Sequence, residues 1–157
     1  MLNSWLHLLA LVAYLGSVIG LWLLLLPSIS LIKDPRRQQQ FLARGLKLYN
    51  PIQIGALGVV VLSGAFQLTA LKAAYREQFL SELGFTLGVK LLLSFFLILL
   101  SVYQSLGVAH RFVRRHERGE FLSREETESL VRRLKSVTFP ILLLAAFTLW
   151  LGVEMRR

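Results

Sequence analysis

The 157 residues contain no cysteine, which excludes disulfides and thiolate metal sites. Methionine stands only at positions 1 and 155, so thioether ligands are confined to the two ends. Asp and Glu number nine against eighteen Lys and Arg. None of the nine falls in the four longest uncharged runs, which excludes a buried carboxylate relay or a paired-acid site within them. No Walker loop, nucleophile elbow or HExxH motif occurs, so the familiar routes to phosphate, ester and zinc chemistry are missing.

Apolar residues make up 55% of the chain, too many for an ordinary soluble domain. Charged side chains are absent from Met1 to Ile32, Leu48 to Leu71, Leu91 to Ala109 and Ser136 to Val153. A membrane helix needs about 20 predominantly apolar residues, and each run supplies a span or nearly one. The first run lacks the basic start and small-residue cleavage site of a removable signal, so it reads as a span. The expected fold is an all-α integral membrane protein. A single domain over 1–157 forms a four-transmembrane-helix bundle, with spans at about 3–27, 50–71, 85–108 and 137–154.

Charge placement orients the bundle. Lys33, Arg36, Arg37, Arg44 and Lys47 lie between spans one and two. Arg111, Arg114, Arg115, Arg118, Arg124, Arg132, Arg133 and Lys135 lie between spans three and four. The remaining connection carries only Lys72 and Arg76, offset by Glu77 and Glu82. Thirteen cations against two place both basic loops in the cytoplasm and both termini outside, by the positive-inside rule. The net charge of +9 is then a topology signal, and nucleic acid is not an expected partner. The lipid bilayer is one, joined by a membrane-protein partner or a second copy.

The loops also carry local signals. Asp34 and Pro35 open a short interfacial helix with Phe41, Leu42 and Leu46 on its apolar side. Asn50 and Pro51 read as the cap and first turn of span two. Ser123 and Glu126 have capping-box spacing, ahead of a helix that runs into span four and bends near Pro140.

Successive helix residues turn by about 100°, so polar residues within spans can be sorted by face. Lys90, Ser94, Ser101, Gln104 and Ser105 share one face of span three; Asn3, His7 and Tyr14 share one of span one. Gln53, Gly64 and Gln67 share one of span two. Unpaired polar groups are costly in hydrocarbon, so these faces should meet in a polar seam. Gly16 and Gly20, opposite the polar face of span one, form a small-residue pair suited to docking.

His7 and Lys90 enter from the outer side at matched depth, about 8 Å in for His7 at about 1.5 Å per residue. Gln67, Thr148 and Trp150 belong to the same layer. Two readings of Lys90 stand: a boundary lysine that snorkels to the interface, or a member of an outer polar site with His7. The candidate ligand-binding set is His7, Lys90, Tyr14 and Gln67, with His7 as the metal ligand. Trp5, Trp22 and Trp150 read as interfacial anchors, and His110 and His116 as solvated.

Several stretches carry a family resemblance: "WLHLLALVAYLGSVIGLWLLLLPSI", "VVLSGAFQL", "LGVKLLLSFFLILLSVYQSLGVAHR", "LVRRL" and "FPILLLAAFTLWLGV". Their order resembles the copper-resistance D family of bacterial inner-membrane proteins. The histidine of span one, Pro27 at its inner end and "VKLLL" in span three also resemble the cytochrome-like membrane protoporphyrinogen oxidases. Those resemblances imply a bacterial inner-membrane protein. They further imply haem b or copper as cofactor, His7 as its ligand and Lys90 as a polar or catalytic partner. Three functions fit: an accessory or transport component of the copper-resistance D type, a haem-b redox protein, and a structural subunit of a larger membrane complex.

Overall fold

The computed structural model describes residues 2–74 and 83–154. Arg76, Glu77 and Glu82, which entered the charge count, lie outside them, as do Met1 and Met155. Four helices dominate: α1 (Leu2–Ser30), α2 (Pro35–Ala74), α3 (83–117) and α4 (Arg124–Glu154). No strand occurs among the described residues.

All four helices are long and apolar enough to cross a membrane. Their side chains agree with their length. Only 6% of the most apolar stretch of α3 is buried, and even in α1 the share is 33%. Trp5, Leu9, Val12, Leu62, Phe66 and Phe95 point outward, each more than half exposed. A surface this apolar would drive aggregation in water and suits hydrocarbon.

The chain runs up, down, up and down. α1 packs chiefly along α2, and α3 chiefly along α4. At the end carrying the basic loops, Leu25, Leu26, Ile29, Leu42, Leu46 and Leu134 form the larger apolar core. Nearer the middle, Tyr14, Val18, Leu57 and Ile141 form a smaller one.

The expected break at Asn50 and Pro51 does not occur, and α2 is one helix of 40 residues. Gln39, Leu42, Ala43, Leu46, Gln53 and Leu57 are all buried along one unbroken helical stripe. Burial of that stripe outweighs the N–H that Pro51 withholds from the ladder. Asn50 caps nothing; its carboxamide oxygen accepts a hydrogen bond from Ser105 Oγ. The loop helices are likewise continuous with the spans rather than separate short elements, and α4 passes uninterrupted through Pro140.

Other local readings hold. Asp34 Oδ1 accepts the Arg36 amide at 3.0 Å. The capping box closes from both sides: the Glu126 amide donates to Ser123 Oγ at 3.1 Å, and the Ser123 amide donates to Glu126 Oε2 at 2.9 Å. Gln39 fastens the loop before α4, since its Nε2 donates to the Leu122 carbonyl at 2.6 Å and its Oε1 accepts the Leu122 amide at 3.2 Å. On the surface, Lys47 reaches Glu117 at 2.7 Å and holds that carboxyl below its usual range. His116 is half-buried and stacks on Phe112, whereas His110 is exposed.

Two widened π turns interrupt the ladders, at Leu21–Leu25 and Tyr103–Ala109. The first precedes Pro27, whose ring would crowd the carbonyl four residues back in a regular α-turn. It also sets Leu25 against Gly45, where a Cβ would lie 2.2 Å from Leu25 Cδ1. The second turns the consecutive residues Gln104 and Ser105 both inward, 2% and 1% exposed.

Gly16 and Gly20 do not form one docking face. Gly20 is buried, and a Cβ there would stand 3.0 Å from Tyr49 Cε1, while nothing lies within 4 Å of one at Gly16.

Candidate functional site

The polar faces meet in layers along the bundle. In the layer nearest the basic loops, Gln53 Nε2 donates to Gln104 Oε1 at 3.1 Å, and Gln104 Nε2 donates to Thr138 Oγ1. Three helices are thereby joined through one side chain. The adjoining gap beside Asn50, Gln53, Gln104 and Ser105 holds about 10 Å³, room for one water at most. In the middle layer the Tyr14 hydroxyl and Ser101 Oγ are 2.5 Å apart, linking α1 to α3.

The layer near the start of α1 is built differently. His7 Nδ1 lies 2.8 Å from Ser63 Oγ on α2, and Asn3 Nδ2 donates to the Ser63 carbonyl at 3.2 Å. Ser63 Oγ lies 2.5 Å from the Val59 carbonyl, so its single proton is committed to α2's own backbone. Ser63 Oγ and the Val60 carbonyl both lie against the His7 ring, so α2 offers its N–H an acceptor and fixes the ring's orientation. Gly64 leaves space beside the ring: a Cβ there would meet His7 Cε1 at 3.4 Å.

Lys90 on α3 is half-buried. Its ammonium rests against α4, where a Cβ at Gly152 would come within 3.2 Å of Nζ. Gly152 therefore supplies the room that Lys90 occupies.

Of the residues singled out from sequence, His7 lies against Ser63 and Gly64 on α2, and Lys90 against Gly152 on α4. Gln67 is half-buried on α2, one turn beyond Ser63, and makes no side-chain hydrogen bond among the described residues. Tyr14 is 1% exposed, two turns deeper than His7 and bound to Ser101, so it serves the seam. Thr148 Oγ1 donates to the Leu144 carbonyl at 2.7 Å, and Trp150 lies outward against Phe147. Ser63 and Gly152 were missed as site residues. A serine among valines and a glycine near a helix end look like packing until their neighbours are known. No group of three or more His, Cys, Asp or Glu side chains gathers among the described residues.

No family model, curated protein or solved structure matches this chain.

Proposed function

We propose that this chain is a multi-pass protein of the bacterial inner membrane, both termini outside. In this reading it serves as an accessory or transport component of the copper-resistance D type and acts through a ligand site at His7. One observation carries the reading: His7 Nδ1 is held 2.8 Å from Ser63 Oγ, with the Val60 carbonyl also beside the ring, so α2 fixes the imidazole in place.

The donor count favours haem over bare copper. Copper held by protein alone calls on several soft or imidazole ligands, and this layer offers one imidazole. A haem brings four ring nitrogens and asks one axial ligand of the protein. His7 Nε2 would be that ligand, Ser63 its orienting partner and Lys90 a cation for the porphyrin carboxylates. Bound haem would supply one-electron chemistry, which is the haem-b redox reading.

The test is an absorption spectrum of purified protein titrated with haem, alongside copper per chain. Wild-type protein is expected to give a Soret band that His7→Ala abolishes. Ser63→Ala, which removes the orienting bond, should weaken binding about tenfold to a hundredfold. Equal haem and copper content in wild type and His7→Ala would overturn the ligand role and leave the structural-subunit reading.

A further inference from the structure

At the opposite end of the bundle, an open cavity of about 610 Å³ lies between the end of α1, the start of α2 and the first turns of α4. Its lining sets apolar Leu26, Ile29, Ile32 and Val131 beside polar Ser30, Gln38 and Thr127. Its rim carries Lys33, Arg124, Arg132 and Lys135 against a single carboxylate, Glu128. Arg124 and Glu128 satisfy each other at 3.0 Å. Lys33, Arg132 and Lys135 form no ion pair among the described residues.

The contrast with neighbouring cations is informative. Arg36 stacks over Phe121 and Arg133 over Tyr103, while Lys47 and Arg115 have carboxylate partners. Arg44, Arg111, Arg114 and Arg118 also form no ion pair among the described residues, so what sets this cavity apart is that three such cations line one opening. Three positive charges beside leucine, isoleucine and valine side chains ask for a ligand that is anionic at one end and apolar at the other.

We propose that this groove binds the phosphate of an anionic phospholipid, with the first methylenes of its acyl chain on Leu26, Ile29 and Val131. The volume lies within the usual range for small-molecule pockets. Cations beside the cytoplasmic ends of membrane helices attract anionic lipid by about 1 kcal/mol each. The inference rests on the four-span orientation proposed above and is independent of any ligand at His7.

The experiment uses full-length protein in nanodiscs of phosphatidylcholine alone or with added phosphatidylglycerol or cardiolipin. Retained lipid is read by native mass spectrometry and stability by thermal melting. Wild-type protein should melt higher in the anionic discs and carry bound anionic lipid. The Arg132→Gln/Lys135→Gln double variant should lose about thirtyfold in lipid affinity, two charges at the figure above. Arg118→Gln, a charge outside the groove, should behave as wild type. Single Arg132→Gln and Lys135→Gln variants give the same reading with smaller losses if the double variant does not fold. Equal lipid retention by the groove variants and Arg118→Gln would overturn the proposal. So would equal stabilisation by inorganic phosphate in phosphatidylcholine discs, which would mark a soluble anion as the ligand.

Discussion

Gly45→Leu should abolish recovery of folded protein in detergent, the largest effect expected of any single change in the bundle. A Cβ at position 45 would lie 2.2 Å from Leu25 Cδ1, 2.8 Å from Cδ2 and 3.1 Å from Cγ. Leu25 is 5% exposed and belongs to the larger core, so it has little room to withdraw. For alanine two effects oppose. Replacing a mid-helix glycine gains about 1 kcal/mol of helix propensity, while overpacking a filled core costs about 1–3 kcal/mol. Gly45→Ala should therefore fold with modestly reduced stability. Leucine adds three more carbons to the same collision, and propensity cannot offset it. Gly16→Ala is the control, since nothing lies within 4 Å of its Cβ position. It should leave the melting temperature unchanged or raise it. Gly45→Leu protein as abundant and stable as wild type would mean that α1 and α2 do not pack at this crossing.

The second large effect belongs to Gln104. It is 2% exposed and bonds both Gln53 and Thr138; Gln104→Leu strands the buried Gln53 amide, while Thr138 Oγ1 keeps its bond to the Leu134 carbonyl. A buried polar group left unsatisfied costs about 1–3 kcal/mol. Hydrogen bonds within membranes average nearer 0.6 kcal/mol, because the separated helices find other partners. A loss of about 2 kcal/mol for Gln104→Leu lies between these limits. The triple change Gln53→Leu, Gln104→Leu and Thr138→Val removes every member of the layer and should recover much of that loss. Chemical or thermal unfolding of wild type, Gln104→Leu and the triple variant decides it. A triple variant less stable than Gln104→Leu would show that the layer contributes more than the avoidance of unpaired groups.

Both variants bear on what could be read from sequence. The four long apolar helices were legible because charge is absent from long runs of the chain, a pattern visible in one dimension. The inward face of α3 was legible too: Ser101, Gln104 and Ser105 emerge from a fixed turn per residue, and all three are hydrogen-bonded to neighbouring helices. The capping box is local chemistry and needs no tertiary knowledge.

The misreadings share a cause. Asn50 and Pro51 look like a helix start because local rules favour one, yet the buried stripe from Gln39 to Leu57 holds the helix together. Gly45 carries no local signal at all, and only the approach of Leu25 reveals why no side chain fits there. Ser63 gains its importance from His7, 56 residues away. The basic groove draws on two segments remote in sequence, 26–38 and 124–135, so no linear pattern announces it.

Insertion of the four helices, with His7 toward the outside, is tested most directly by cysteine labelling in intact cells. The chain has no cysteine of its own, so single-cysteine variants give an unmixed signal. Leu2 and Arg118 are both exposed and lie at opposite ends of the bundle. An impermeant maleimide should label Leu2→Cys in intact cells, and Arg118→Cys only after the membrane is opened. Labelling of Arg118→Cys in intact cells, with Leu2→Cys protected, would contradict the orientation and place the His7 layer on the cytoplasmic side.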